Sequence, residues 1–285
     1  ILTIGMSLLA ICYTMIIPFL PVYLLELGVE QEQLALWSGL SFSISFCIAA
    51  IMAPIWGRLA DAHGKKLMAI RAGILIGISY LWGAFVQNEY QFLMVRAFQG
   101  FANGFMPAAM TMVSLSVPKE RVGTAMGIFQ MGLVLGNTVG PLTGGITELA
   151  VGMRPVFAVA GITLFVVTAV IAIFVKEPMV DSVEPVKMTS FKEDLKEATS
   201  NKVLLHILGL YFLVQSVMLM LQPIVAIYVG ELKGTMDGAA MLAGSILSGG
   251  GVMGMIMTNI WAAYGQKRGY FRVISYGLLG TGTIL

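Results

Sequence analysis

Charge is what this sequence has least of. Asp, Glu, Lys and Arg make up 11% of its 285 residues, where a soluble globular domain carries about a quarter. With 58% of residues hydrophobic, no water-soluble fold of this length could cover its apolar surface, which excludes a soluble enzyme or binding domain. Cysteine is nearly absent: Cys12 and Cys47 each sit inside an apolar run and form no CxxC, so a secreted disulfide framework is excluded. His63 and His206 stand alone, so neither a metal centre nor another cofactor is expected. A net charge of +2 provides no electrostatic footprint for nucleic acid. The motifs GxSG, HExxH and GxGD are missing, as are paired acids within an apolar run, which argues against a polytopic membrane enzyme. The string GGGVMG at 249–254 fits G-x-G-x-x-G, but no strand precedes it and it lies inside an apolar run, so it reads as helix packing.

What the chain has instead is long uncharged runs, at 1–25, 33–57, 72–88, 97–118, 122–147, 155–175, 203–230, 238–266 and 273–285. A helix of about 20 apolar residues crosses a hydrocarbon core of about 30 Å. The run at 72–88 reaches that length when extended back through Leu67, with Arg71 snorkelling towards the headgroups. The last run is cut by the chain end. Nine membrane segments are expected. Because Ile1 and Leu285 both lie inside apolar runs, the sequence reads as a fragment, and no signal peptide is visible.

The basic residues report topology. Of the 17 Lys and Arg, all but Arg96, Arg154 and Lys233 fall in the alternate loops 58–71, 118–121, 176–202 and 267–272. The positive-inside rule places those loops and the N-terminus in the cytoplasm, and the acidic loop Glu26–Glu32 outside. The stretch 176–202 is the longest polar one, and SFKEDLKEATSNK within it has the Ser cap and alternating charge of a short surface helix. An internal repeat agrees with a division there. At an offset of 205, Pro18, Tyr23 and Glu26-Leu27 fall on Pro223, Tyr228 and Glu231-Leu232. At the same offset Gly39, Ser43 and Ile55-Trp56 fall on Gly244, Ser248 and Ile260-Trp261. An even number of spans separates the copies, so the repeat is parallel, about an axis along the membrane normal. The expected organisation is a six-helix bundle at 1–176, a cytoplasmic linker at 177–202, and the first three helices of a second bundle at 203–285.

Three motifs carry chemistry. GRLADAHGKK at 57–66 is a tight turn in which Asp61 either accepts from backbone amides at a helix start or pairs with a cation, while Lys65 and Lys66 hold the loop at the surface. In RAFQGFANG, Arg96, Gln99, Gly100 and Asn103 share one helical face, and an intramembrane Arg should face protein or a water-filled cavity unless it sits shallow and snorkels. In GLVLGNTVGPLTGG, glycine recurs at Gly132, Gly136, Gly140 and Gly144, a stripe for close helix approach, with Pro141 adding a bend. Gly73/Gly77 and Gly123/Gly127 have the spacing of ordinary packing pairs. Tyr13, Asn103, Gln130, Asn137, Gln215 and Gln222 are candidate substrate contacts, and the 20 Met and 15 Phe suit an adaptable apolar cavity as well as plain packing.

The loop at 57–66 resembles the loop signature of the major facilitator superfamily, matching at Gly57, Leu59, Asp61, Gly64, Lys65 and Lys66. That resemblance implies a charge latch between two bundles, weighted to this loop because Gln266 replaces the acid in the second copy, AAYGQKRG. The run R-x-x-Q-G-x-x-x-G resembles a second signature of the superfamily and implies a role for Arg96 in proton coupling. G-x-x-x-G-P-x-x-G-G resembles the signature of its drug:proton antiporters, matched by Gly136, Gly140, Pro141, Gly144 and Gly145. The implied protein is an all-α major facilitator in a cell membrane, by resemblance a bacterial plasma membrane. It would act as a monomer, exporting amphipathic drugs in exchange for protons by alternating access. A sugar or metabolite importer of the same fold is the alternative, with a non-transporting sensor behind it. No acid lies mid-span to carry the proton: Glu26, Asp61 and Glu148 all sit near span ends.

Overall fold

A computed structural model describes residues 2–177, 199–233 and 238–268, with Gly277 and Gly280. Among the described residues every regular element is helical, as hydrocarbon requires: a spanning backbone must satisfy its own N–H and C=O groups. Span one is α1 (Leu2–Thr14), a 3-10 turn (Ile17–Phe19) and α2 (Leu20–Glu26). Pro18 and Pro21 each fall at the start of their element, where the missing N–H is no loss. Span two is α3 (Leu34–His63), and a single residue, Gly64 at φ +97°, joins it to α4 (Lys65–Phe85). That left-handed backbone favours glycine.

Span four is α5 (Glu89–Ala102) followed by α6 (Phe105–Leu115). Asn88 caps α5, its Oδ1 accepting from Gln91 N at 2.9 Å, while Gln91 Oε1 accepts from Gln87 N at 2.9 Å. Spans five and six are α7 (Val122–Val151) and α8 (Met153–Phe174), and the expected spans seven and eight are α9 (Lys202–Lys233) and α10 (Ala239–Arg268). The stretches Leu2–Glu26, Gln31–His63, Lys65–Phe85, Lys119–Val151 and Met153–Phe174 are long and apolar enough to cross a membrane. Span four is not among them because it is broken into pieces of 14 and 11 residues. The expected ninth segment, Gly277 and Gly280 apart, and most of the 176–202 stretch with its surface helix lie outside the described residues.

Packing follows small residues. Span three lies on span six with Gly73 against Thr168 and Gly77 against Phe165, and Gly161 takes Leu81 from the other side. One end of the core is aromatic: Tyr23 meets Phe157 at 4.8 Å and Phe92 at 5.4 Å between ring centroids, and its hydroxyl donates to Gly83 O at 2.7 Å. Left unpaired in that apolar setting the hydroxyl would cost about 1–3 kcal/mol, so the bond ties span one to span three. The expected pair Gly123/Gly127 differs: a Cβ at either meets nothing within 4 Å. Spacing alone does not make a contact, and among the described residues no helix faces this pair.

Candidate functional site

The loop between spans two and three is built by two carboxylates. Asp61 pairs with Lys65 and stays two-thirds exposed. The first amides of α4 go elsewhere: Lys65 N donates to Glu177 Oε1 at 2.7 Å and Lys66 N to Glu177 Oε2 at 2.8 Å. An anion at a helix N-terminus meets both the free N–H groups and the positive end of the dipole. Of the two roles open to Asp61, the structure shows the cation partner, and Glu177 takes the helix start. A Cβ at Gly64 would stand 3.1 Å from Glu177 Oε1, a second reason for glycine there, whereas a Cβ at Gly57 meets nothing within 4 Å. Sequence reasoning missed Glu177. Its signal was an acid one residue beyond an apolar run, on the side of the membrane expected for the loop.

Arg96 is buried, with 3% of its surface exposed, so the shallow, snorkelling alternative does not apply. Burying a cation at membrane depth costs a few kcal/mol or more. A neighbouring helix and α5 itself offset that: Arg96 Nε donates to Ser41 O of α3 at 3.1 Å and Nη1 to Gln99 Oε1, one turn on, at 2.6 Å. The guanidinium carbon also lies 5.5 Å from the centroid of the Phe42 ring. Ser45 Oγ donates to Arg96 O at 2.7 Å, so α3 grips α5 from both sides of the residue. Gly100 permits that approach, since a Cβ there would overlap the Ser45 carbonyl. Among the described residues no carboxylate pairs with Arg96. Among the described residues, Tyr13 and Tyr80 are ionisable groups close enough to feel its charge.

Beside this face lies a cavity of about 90 Å³ lined by Tyr13, Tyr80, Gln99, Asn103, Phe105 and Met106, among others. Gln99 Nε2 is buried there without a partner. The structure thus brings Tyr13 and Asn103 together with Gln99. Gln130, Asn137 and Gln215 are exposed and do not line this cavity, and the side chain of Gln222 lies outside the described residues. Asn103 ends α5 rather than continuing its face, and its Oδ1 accepts from Gly104 N at 2.7 Å.

The glycine stripe of span five lies along span one. A Cβ at Gly136 would overlap Ala10 and the Ser7 carbonyl, one at Gly140 would overlap Thr14, and one at Gly144 the Met15 carbonyl. Thr14 Oγ1, bonded to Ala10 O at 2.7 Å, also reaches Gly136 O at 3.3 Å. Gly132 faces Thr3 and Ser7, and Gly145 is buried. On its other side the same helix meets span eight: Gly244 abuts the Pro141 carbonyl, Gly251 closes on Thr138, and Leu142 N donates to Ser248 Oγ at 3.1 Å. Gly251 of the GGGVMG string is therefore a packing residue, as expected.

Together these features define a multi-pass helical membrane protein with a buried cation in one bundle and a glycine-lined seam between helices. The family model of the Major Facilitator Superfamily matches residues 2–285, and the chain belongs to that superfamily. It is 32% identical over 281 residues, 98% of its length and 68% of the relative's, to the multi-drug resistance efflux pump PmrA homolog of Lactococcus lactis subsp. lactis. It is 34% identical over 266 residues to multidrug resistance protein MdtG of Dickeya zeae, covering 92% of this chain and 64% of that one. The chain thus spans about two thirds of the length of these relatives. Among solved structures, a bacterial homolog of the human lysosomal transporter Spinster, inward-facing and unoccupied, matches with a TM-score of 0.68 at 18% identity. That match covers 93% of this chain and 61% of the other. A D-xylose-proton symporter matches with a TM-score of 0.64 at 14% identity over 93% of this chain and 68% of its own. At such identities both matches show the fold alone.

Proposed function

We propose that this chain is the first six-helix bundle, the linker and the start of the second bundle of a multidrug exporter, which expels amphipathic small molecules in exchange for protons. The observation that carries the reading is the seam of span five. Its G-x-x-x-G-P-x-x-G-G stripe is complete, and each of Gly136, Gly140 and Gly144 lies against span one closely enough to exclude a methyl group. The opposite side of the same helix contacts span eight. A helix held without side-chain bulk between the two halves suits rigid-body rocking of one bundle on the other. Relatives covering nearly the whole chain carry names of multidrug resistance proteins, which supports export over import.

In this reading the loop of Gly57, Asp61, Gly64, Lys65 and Lys66 biases the inward–outward equilibrium from the cytoplasmic side. Arg96 tunes proton exchange, and Tyr13 and Asn103 belong to the substrate path, with Gln130, Asn137, Gln215 and Gln222 as further contacts. The N-terminus is cytoplasmic, the membrane is a bacterial plasma membrane, and the working unit is a monomer. The test is dye efflux from energised cells making the full-length protein, with and without an uncoupler. Several cationic dyes should leave faster than from vector controls, and the uncoupler should abolish the difference. Equal retention across all dyes would sink the proposal.

A further inference from the structure

Span four ends its first helix at Ala102, which leaves the last-turn carbonyls of α5 without partners inside the helix. They are satisfied in an ordered way. Gly100 O accepts from Asn103 N at 3.4 Å, closing the turn locally. Phe101 O accepts from Trp56 Nε1 at 2.8 Å. Ala102 O and Asn103 O both accept from Arg71 Nη2, at 3.5 and 2.9 Å. Three consecutive carbonyls at the break are therefore held by side chains from spans two and three. The two donors also hold each other, the Arg71 guanidinium carbon lying 3.5 Å from the centroid of the Trp56 ring. Trp56 in turn meets Phe101 edge to face at 5.2 Å.

We propose that Trp56 and Arg71 are positioning residues for transport, a clamp on the break in span four that sets where Arg96 stands. The proposal rests on the efflux reading for its transport readout alone. Trp56 is the residue before Gly57 and Arg71 follows Lys65-Lys66 within α4, so the clamp flanks the cytoplasmic loop on both sides. Arg96 lies two turns upstream of Asn103 on α5, bonded to the same helix, α3, that carries Trp56. A displacement of the loop moves both donors, frees the three carbonyls, and lets α5 shift against Ser41 and Ser45. The clamp is built to let go. Arg71 Nε and Nη1 are buried without partners, and the side chain lines a cavity of about 470 Å³ together with Asp61, Lys65, Asn103 and Thr111. The guanidinium therefore has unspent donors and room to swing. Gly104, at φ +127°, allows the backbone to turn at this point.

The test uses the full-length protein. Trp56→Phe removes the indole donor while keeping the stacked ring, and Arg71→Lys keeps the charge while losing the planar fork. Each should lower the kcat of dye efflux on the order of tenfold or more with little change in KM, because misplacement by about an ångström has effects of that size. Each should also shift the pH profile of efflux, and Arg71→Met should be worse than Arg71→Lys. Amide exchange without substrate should rise several-fold at 101–105 in Trp56→Phe, with 89–95 still protected. Wild-type kcat and pH profile in both conservative variants would overturn the proposal. So would exchange that rises evenly over all spans with a lower melting temperature, since that describes a merely stabilising contact. If the wild-type protein exports no dye, the efflux reading fails and the exchange measurement alone decides the clamp.

Discussion

Spans four and five each carry a proline, and they respond in opposite ways. Pro107 stands in the first turn of α6, and the helix before it ends at Ala102. Pro141 stands in the middle of α7, which runs unbroken from Val122 to Val151. A proline inside a helix removes one hydrogen bond and crowds the carbonyl four residues back, at about 3 kcal/mol. In span four that carbonyl is Asn103 O, and Arg71 accepts the role of donor to it. In span five Pro141 is pressed between span one and span eight, and small residues on both sides keep the helix continuous. In these two spans the broken helix is the one whose freed carbonyl meets a donor, and the continuous one is packed by small residues of its neighbours.

Four substitutions bear on that comparison. The largest effect is expected from Gly136→Leu, whose side chain has no room beside Ala10 and Ser7. Overpacking typically costs about 1–3 kcal/mol and here meets backbone on the other side, so folded protein and efflux should both be lost. Recovery of normal amounts of protein by detergent extraction would mean that span five is not wedged. Arg96→Met should leave the amount of protein near normal yet cut efflux on the order of a hundredfold, the lower range for loss of a proton-transfer group. Efflux at the wild-type rate would remove Arg96 from the mechanism. Pro141→Ala returns an N–H to the helix interior and should raise the melting temperature, with a gain of up to about 3 kcal/mol. A lower melting temperature would show that the proline ring itself is needed at the seam. Smallest is Gly127→Ala, where a methyl enters open space and the helix gains up to about 1 kcal/mol. Unchanged efflux with equal or higher stability is expected, and a loss of either would reveal a partner for that face.

The same helix shows how far the sequence could be read. Gly123/Gly127 and Gly136/Gly140 have identical spacing, yet among the described residues only the second pair has a close neighbour. The longer string around Pro141 was the better signal because it specifies a complete face rather than one step of it. Arg96 was legible as an intramembrane cation, and its sharing a face with Gln99 and Gly100 held. Its burial was not legible, since burial depends on how α3 closes over α5 through Ser41 and Ser45. Glu177, Trp56 and Arg71 were visible as an acid after a span, half of a repeated pair and a snorkelling charge. Their bonds join residues about 30 to 110 positions apart, a separation that no local pattern encodes.

The sequence by itself determined that the chain is helical and crosses a membrane, because a backbone in hydrocarbon has no other way to satisfy its polar groups. It also determined the family, because turn glycines, a loop acid and a glycine–proline stripe each answer a local geometric demand. Only the tertiary structure decided that span four is two helices, that Glu177 rather than Asp61 holds the start of span three, and that Arg96 is enclosed by protein. Those outcomes turn on which side chains of one helix reach the open carbonyls and amides of another, and that is fixed by how the helices pack.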